Sequence, residues 1–373
     1  SLSLFAAASS MGCGESKPQT VQVTAKKPAT CGPNVAMKET GAWPRPAYDH
    51  SRIFAPKGTS AHSLPALVMV HGAARNDGEG GAPPEESLGV PSVSWEMMQP
   101  LAEKMVGEGF IVLIIGLRDD ALDVTLADYP ELDEEAKVTA RDFAHSGKNV
   151  WPSKYYGKAL SAAIDHLCAV APKAHGVKVD AQRVGLVGHS IGGAGVLHAA
   201  ASECADRVRA VVALNPVHHS VRKPFDHLRE IKRYLSGEKH SGEHGNGELP
   251  HLKRIKCATF VYGSQAEYNT SVLETPWTGD LQPYALVWPK PSSIHAQVGA
   301  ASKELYVDNT TDVQNFVAHG WLATAKGLEQ FGGGAPLRLI GSFLRRHLAG
   351  DDEAPPERPE NAKEWAVEGG AKV

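Results

Sequence analysis

The chain has no apolar run long enough to span a bilayer. Each such run breaks off well short of the roughly 20 residues that a membrane helix needs. Neither charge is in large excess, since 38 Lys and Arg stand against 42 Asp and Glu, for a formal net charge of −4. That balance gives no basis for holding a polyanion, so nucleic acid is not expected as a partner. Cysteine is scarce, and none of the five (Cys13, Cys31, Cys168, Cys204 and Cys257) has the CxxC spacing of a metal or redox site. Histidine is more plentiful, but His218, His219, His240, His244 and His251 show no compact ligand spacing. Neither a metal nor a cofactor is therefore expected. What remains is an ordinary globular composition, 42% hydrophobic and 21% charged, at a length that suits one large α/β domain.

The most informative stretch is Arg183 to Ala194, RVGLVGHSIGGA. Arg183 to Val187 reads as a buried strand, and Gly193 to Ser202 as a helix of small residues. Between them Gly188-His189-Ser190-Ile191-Gly192 fits G-x-S-x-G. Strand, tight turn and helix in that order are what a nucleophile elbow requires. Ser190 must sit in a strained bend that lifts its hydroxyl above the sheet edge. Gly188 and Gly192 leave room where strand and helix pack closely. The helix start would also aim backbone N–H groups at a developing negative charge.

The rest of the chain supplies a frame. Trp43 to Pro56 reads as an early edge strand, and Leu67 to Val70 as a central strand delivering His71-Gly72-Ala73 to the sheet's C-terminal edge. In this architecture that loop supplies the second oxyanion donor, so the N–H groups of Ala73 and Ile191 are the expected pair. Ser94 to Glu108 is an amphipathic helix with Ser94 as N-cap, and Phe110 to Leu117 a fully buried strand. Ser153 to Val170 is a helix, Val208 to Leu214 and Cys257 to Tyr262 are strands, and Glu304 to Val307 is the last visible strand. Pro336 to Leu348 closes the domain as an amphipathic helix. The long stretches 76–93 and 119–152 read as surface loops or cleft rims, and 236–248 as a polar excursion. Alternating strands and helices predict an α/β fold: a doubly wound, mostly parallel sheet with helices on both faces. The expected boundaries are a signal remnant at 1–13, a linker at 14–40, the catalytic domain at 41–349 and a flexible tail at 350–373.

The N-terminus carries an address. Leu2 to Ala8 is small and apolar, and Ser9-Ser10-Met11-Gly12-Cys13 follows. This reads as the end of an export signal with a bacterial lipobox, in which Cys13 would be lipidated and attach the chain to a membrane. The expected location is the cell envelope or the medium. The alternative is a plain tail with an incidental cysteine. In an oxidising compartment Cys168 and Cys204 could pair, with buried free thiols as the other reading.

Ser190 needs a base, and the base needs a carboxylate to orient it. The chain order for this architecture is Ser, acid, His. His319, after the last strand, is the expected base. Glu267, four residues past Gly263, is the expected acid, with Asp280 as the main rival and Asp308 as a lesser one.

On these residues the chain resembles the α/β-hydrolase superfamily from Leu67 to Leu348, and within it cutinase-like polyester hydrolases and dienelactone-hydrolase-like esterases. Gly188-His189-Ser190-Ile191-Gly192-Gly193 is similar to their elbow. Gly263-Ser264-Gln265-Ala266-Glu267 matches their acid segment, with Glu where they usually have Asp. Asn215-Pro216-Val217-His218 matches their segment after the following strand. The resemblance implies that Gly72, His189, Val217, His218 and Trp321 meet the substrate. It also has gaps. Ala73 and Val217 stand where those polyester hydrolases carry the two aromatic walls that clamp a flat ring, and Trp321, Trp151 or Trp277 would have to replace them. The expected activity is hydrolysis of a small-molecule or polymeric carboxylic ester through an acyl-enzyme. A serine peptidase or amidase on the same fold is the first alternative, and a non-catalytic binding protein the second.

Overall fold

The computed structural model describes residues 34–39, 51–58, 62–72, 95–115, 153–216, 251–265, 291–309, 329 and 334–369. All of them belong to one unit, Cys31–Val373. Among the described residues nine strands form a single sheet: β1 (Val35–Glu39), β2 (Arg52–Pro56), β3 (Leu64–Val70), β4 (Ile111–Ile115), β5 (Val179–His189), β6 (Val208–Leu214), β7 (Ala258–Ser264), β8 (Lys303–Asp308) and β9 (Ala362–Glu368). Their spatial order is β1-β2-β4-β3-β5-β6-β7-β8-β9. The six strands from β4 to β8 run parallel, whereas β2 pairs antiparallel with β1 and β4, and β9 antiparallel with β8. The fold is α/β with a mixed, mostly parallel sheet.

The central strands are near-continuous apolar runs because both of their faces are covered. Along β3, Ala66, Val68 and Val70 enter one core, and Leu67 and Met69 enter the other. The first core is completed by α2 (Ser153–His175), α3 (Ile191–Ala200) and α4 (Pro291–Gln297), the second by α1 (Trp95–Gly107) and α5 (Ala335–Leu344). Helical periodicity selects the buried residues. In α1, Met98, Leu101, Ala102, Met105 and Val106 are buried, a stripe at i, i+3, i+4, i+7 and i+8. In α2 the stripe is Tyr156, Ala159, Leu160, Ala163, Ile164, Leu167 and Ala171.

The chain reverses direction across the sheet at β3 and β5. From β3 it moves outward to β4 over the α1 face, and from β5 it moves the other way to β6 over the α3 face. Crossovers of one hand require opposite faces for opposite directions. The crevice of such a sheet opens at the C-terminal ends of the two strands that flank the reversal. Val70 and Gly188 are register partners there.

Several elements depart from the sequence expectation. Segment 14–40 is linker-like in composition, yet its end forms β1. The 350–373 stretch is tail-like, yet it contains β9. Both are short strands that carry charge and take their place from a neighbour: β1 pairs with β2, and Trp365 of β9 meets the ring of Tyr306 edge-on at 6.2 Å. β2 lies inside β1 and is not the edge. α2 runs past Val170 to His175 and ends on Gly176 in the left-handed region, φ 69°. The closing helix is α-helical to Leu344 and continues as a π-turn, Arg345–Ala349. That turn carries Arg346, which pairs with buried Glu304 of β8.

The pairing of Cys168 with Cys204 does not form; both are free thiols, as is Cys257. The reason lies in helix geometry. The Cys204 sulfur faces the carbonyl of Gly157 at 3.9 Å. Cys168 lies 11 residues further along α2, about 16 Å at the rise of an α-helix. Burial pushes the thiols of Cys204 and Cys257 up to about 12. Among the described residues no helix is long and apolar enough to cross a membrane, and no group of three or more His, Cys, Asp or Glu is placed to hold a metal ion.

Candidate active site

Ser190 stands between the last residue of β5 and the first of α3. Its backbone has φ 57° and ψ −123°, in a region that residues with a side chain rarely enter. Such a conformation costs about 1–3 kcal/mol and persists only where its surroundings enforce it. Here they do. The Ser190 N–H donates to the Leu214 carbonyl at 3.0 Å, and its carbonyl accepts from Ala194 N–H at 3.1 Å.

The glycines around the bend are required by contact. A Cβ on Gly188 would lie 2.2 Å from the carbonyl oxygen of Gly192. A Cβ on Gly192 would lie 2.4 Å from the carbonyl oxygen of His71. The turn is thus wedged between its own helix and the end of β3. Further along α3, a Cβ on Gly195 would enter the ring of Tyr156, at 2.4 Å from its Cγ, so this glycine lets α3 close on α2.

Gly72 brings the loop after β3 to the serine. A Cβ on Gly72 would stand 2.7 Å from Ser190 Cβ, 3.2 Å from its Oγ and 3.3 Å from His189 Nδ1. Ser190 itself is buried, and its side chain makes no capping bond to α3. The first turn of a helix has N–H groups with no partner inside the helix, and Ile191 occupies that position in α3.

His71 is 2% exposed, and its Nδ1 lies 2.8 Å from the Gly72 carbonyl oxygen. Burial lowers its pKa to about 4, against a smaller opposing effect of that hydrogen bond. The ring is therefore neutral at pH 7. Because a carbonyl can only accept, Nδ1 carries the hydrogen and donates it.

The tips of β6, β7 and β8 hold a connected set of buried polar groups. Asn215 follows β6 with φ 43° and donates its N–H to the Tyr262 carbonyl at 2.9 Å. Its side-chain Oδ1 accepts from Ser264 N–H at 3.2 Å. Ser264 Oγ donates to Asp308 Oδ1 at 3.1 Å, and the Tyr262 hydroxyl donates to Asp308 Oδ2. Asn215, Ser264 and Asp308 are all fully buried. Among the described residues the Nδ2 of Asn215 has no hydrogen-bond partner, a burden of about 1–3 kcal/mol for a buried donor.

Of the residues expected in the site, the structure brings together Ser190, Gly72, His189 and the backbone of Ile191. His189, expected against substrate, is fully buried, with its Nδ1 3.3 Å from where a Cβ on Gly72 would stand. Asp308, the lesser rival for the acid, ends β8 fully buried, with its two carboxylate oxygens already accepting from the Ser264 and Tyr262 hydroxyls. β8 is three strand spacings from β5, about 14 Å. Ala73, Val217, His218, His219, Glu267, Asp280, His319 and Trp321 lie outside the described residues, as do Cys13, Trp151, Trp277, His240 and His244. His251 is described: it is half-buried, its ring centroid 5.1 Å from that of His198, and desolvation lowers its pKa to about 3. Sequence reading gave Asn215 no role. Its one signal is an Asn-Pro pair directly after a strand, which marks a turn that Asn can enter at positive φ.

No protein-family model matches the chain, and no curated protein matches it at a significant level.

Proposed function

We propose that this protein is a serine carboxylic-ester hydrolase of the α/β-hydrolase type, working through an acyl-enzyme. The observation that carries the reading is the backbone of Ser190. A non-glycine residue is held at φ 57° and ψ −123° on a strand-to-helix bend, with glycine at every position where a side chain would block it. A nucleophile elbow needs this geometry, and a plain turn has no use for the strain. The strand order supports it as well: the bend leaves β5, next to the reversal point where such sheets bind ligands.

In this reading Ser190 Oγ attacks the ester carbonyl while His319 takes its proton, with Glu267 orienting the imidazole. The N–H groups of Ile191 and Ala73 receive the oxyanion. The bond from neutral His71 fixes the Gly72 carbonyl, and a fixed carbonyl fixes the plane of the peptide that carries the Ala73 N–H. The alcohol leaves with the proton from His319. Water, activated by the same imidazole, then releases the acid. The substrate is a carboxylic ester, small or polymeric, met in the cell envelope if Cys13 carries lipid.

The test is turnover of short p-nitrophenyl esters by the full chain and by Ser190→Ala, with fluorophosphonate labelling of both. Turnover and labelling that depend on Ser190 are expected. Equal rates in the two proteins would overturn the reading. A peptide panel and a polyester film, run alongside, separate the peptidase alternative and place the acyl specificity.

A further inference from the structure

We propose that Asn215 is a positioning residue of this site: it clips the end of β7, the strand that the expected acid follows, to β6 and holds a buried amide N–H for the site's carboxylate. The inference rests on the ester-hydrolase reading above.

The β6–β7 ladder shows the clip. Its last register pair is Leu214 with Tyr262. One step on, Asn215 N–H still donates to the Tyr262 carbonyl at 2.9 Å. In a parallel ladder the next bond would run from Ser264 N–H to the backbone carbonyl of Asn215. That N–H instead goes to the side-chain Oδ1, at 3.2 Å. The side chain has replaced the carbonyl. The backbone is thereby released to turn out of the sheet at φ 43°.

A strand that only had to turn would be served by glycine, which takes this φ freely and buries no amide. Asn215 instead keeps a fully buried Nδ2 with no partner among the described residues. Buried donors left unpaired in native structures call for a reason, and a catalytic role is one. Its position supplies that reason. The residue before it, Leu214, holds the Ser190 N–H. The residue it clips, Ser264, ends the strand that the acid follows, and Asp308 grips the same Ser264 through its hydroxyl from the other side. An N–H donated to a carboxylate is a charge-assisted bond, roughly twice as strong as a neutral one. Fixing the acid fixes the imidazole that must meet Ser190.

The experiment compares wild type, Asn215→Gly and Asn215→Asp at pH 8 as full chains, by p-nitrophenyl ester kinetics and thermal unfolding. Glycine tolerates the backbone but removes both side-chain functions. Aspartate restores the acceptor for Ser264 N–H and not the donor. Expected are a kcat at least tenfold lower in N215G with KM within twofold, and a wild-type unfolding midpoint in N215D without recovery of kcat. Wild-type kcat in either variant would overturn the inference. If N215D does not fold, N215G decides alone: a tenfold loss of kcat at unchanged KM and midpoint supports the role, and any other pattern overturns it. A wild type with neither turnover nor fluorophosphonate labelling would instead overturn the ester-hydrolase reading on which it rests.

Discussion

Gly72 and Ser190 face each other across a gap that admits no methyl group: a Cβ on Gly72 would stand 2.7 Å from Ser190 Cβ and 3.2 Å from its hydroxyl oxygen. Backbone from the end of β3 and the side chain from the end of β5 therefore define one small space. Gly72→Ala should displace either the hydroxyl or the loop while leaving the sheet intact. The expected result is a fall in kcat/KM of at least about a hundredfold, the equivalent of about 3 kcal/mol. Ester kinetics together with a wild-type far-UV spectrum check it.

The two glycines of the bend should govern stability as well as activity. A Cβ on Gly188 meets backbone at 2.2 Å, and one on Gly192 at 2.4 Å, and neither obstacle is a side chain that can swing aside. Gly188→Ala and Gly192→Ala should each destabilise the fold by about 3 kcal/mol or more. Gly107, at the end of α1, is the control, because a Cβ there has nothing within 4 Å. Gly107→Ala should be neutral or slightly stabilising. Denaturant unfolding of the three variants measures the contrast.

Acid should loosen the loop that carries Gly72. The His71 ring ordinarily titrates near 6.5 and is lowered to about 4 in the fold, chiefly by burial. The folded state thus binds the proton less readily than the unfolded chain. The stability that the neutral ring contributes is fully present above about pH 6.5 and is lost as the pH falls through about 4. His251 and His347, lowered to about 3 and about 4, act in the same sense. His71→Asn should therefore flatten the pH dependence of the unfolding midpoint between pH 6.5 and 4 without abolishing it. An unchanged slope would contradict this account of His71.

Glu304 and Arg346 form an ion pair in which the side chains are 2% and 8% exposed. Burial pushes the Glu304 carboxyl above the usual carboxylate range, and the guanidinium opposes it. Arg346→Met would leave a buried carboxylate without its cation, which costs about 3–5 kcal/mol. Replacing both partners by apolar residues of similar size should recover much of that loss. A double-mutant cycle by urea unfolding gives the numbers.

The thiols of Cys204 and Cys257 should be silent in the native protein. Burial raises both to about 12, so almost no thiolate forms at neutral pH. Alkylation at pH 8 followed by peptide mapping should leave both unmodified, and the same treatment in guanidinium should modify both.

The sequence alone determined the features that depend on neighbours in the chain. Apolar runs gave β3, β4 and β6, because a strand covered on both faces must be apolar throughout. The 3.6-residue stripe gave α1 and the body of α2. The spacing of Gly188, Ser190 and Gly192 gave the bend, because the crowding it relieves is local. Tertiary structure decided whatever depends on a partner far along the chain. β1 and β9 carry charge and become strands only by pairing with β2 and β8. Asn215 replaces its own carbonyl in a ladder with Ser264, 49 residues away, and Glu304 meets Arg346, 42 residues away. Short-range crowding leaves its mark in residue spacing. A hydrogen bond between distant strands leaves none, since either end could serve many partners until the fold selects one.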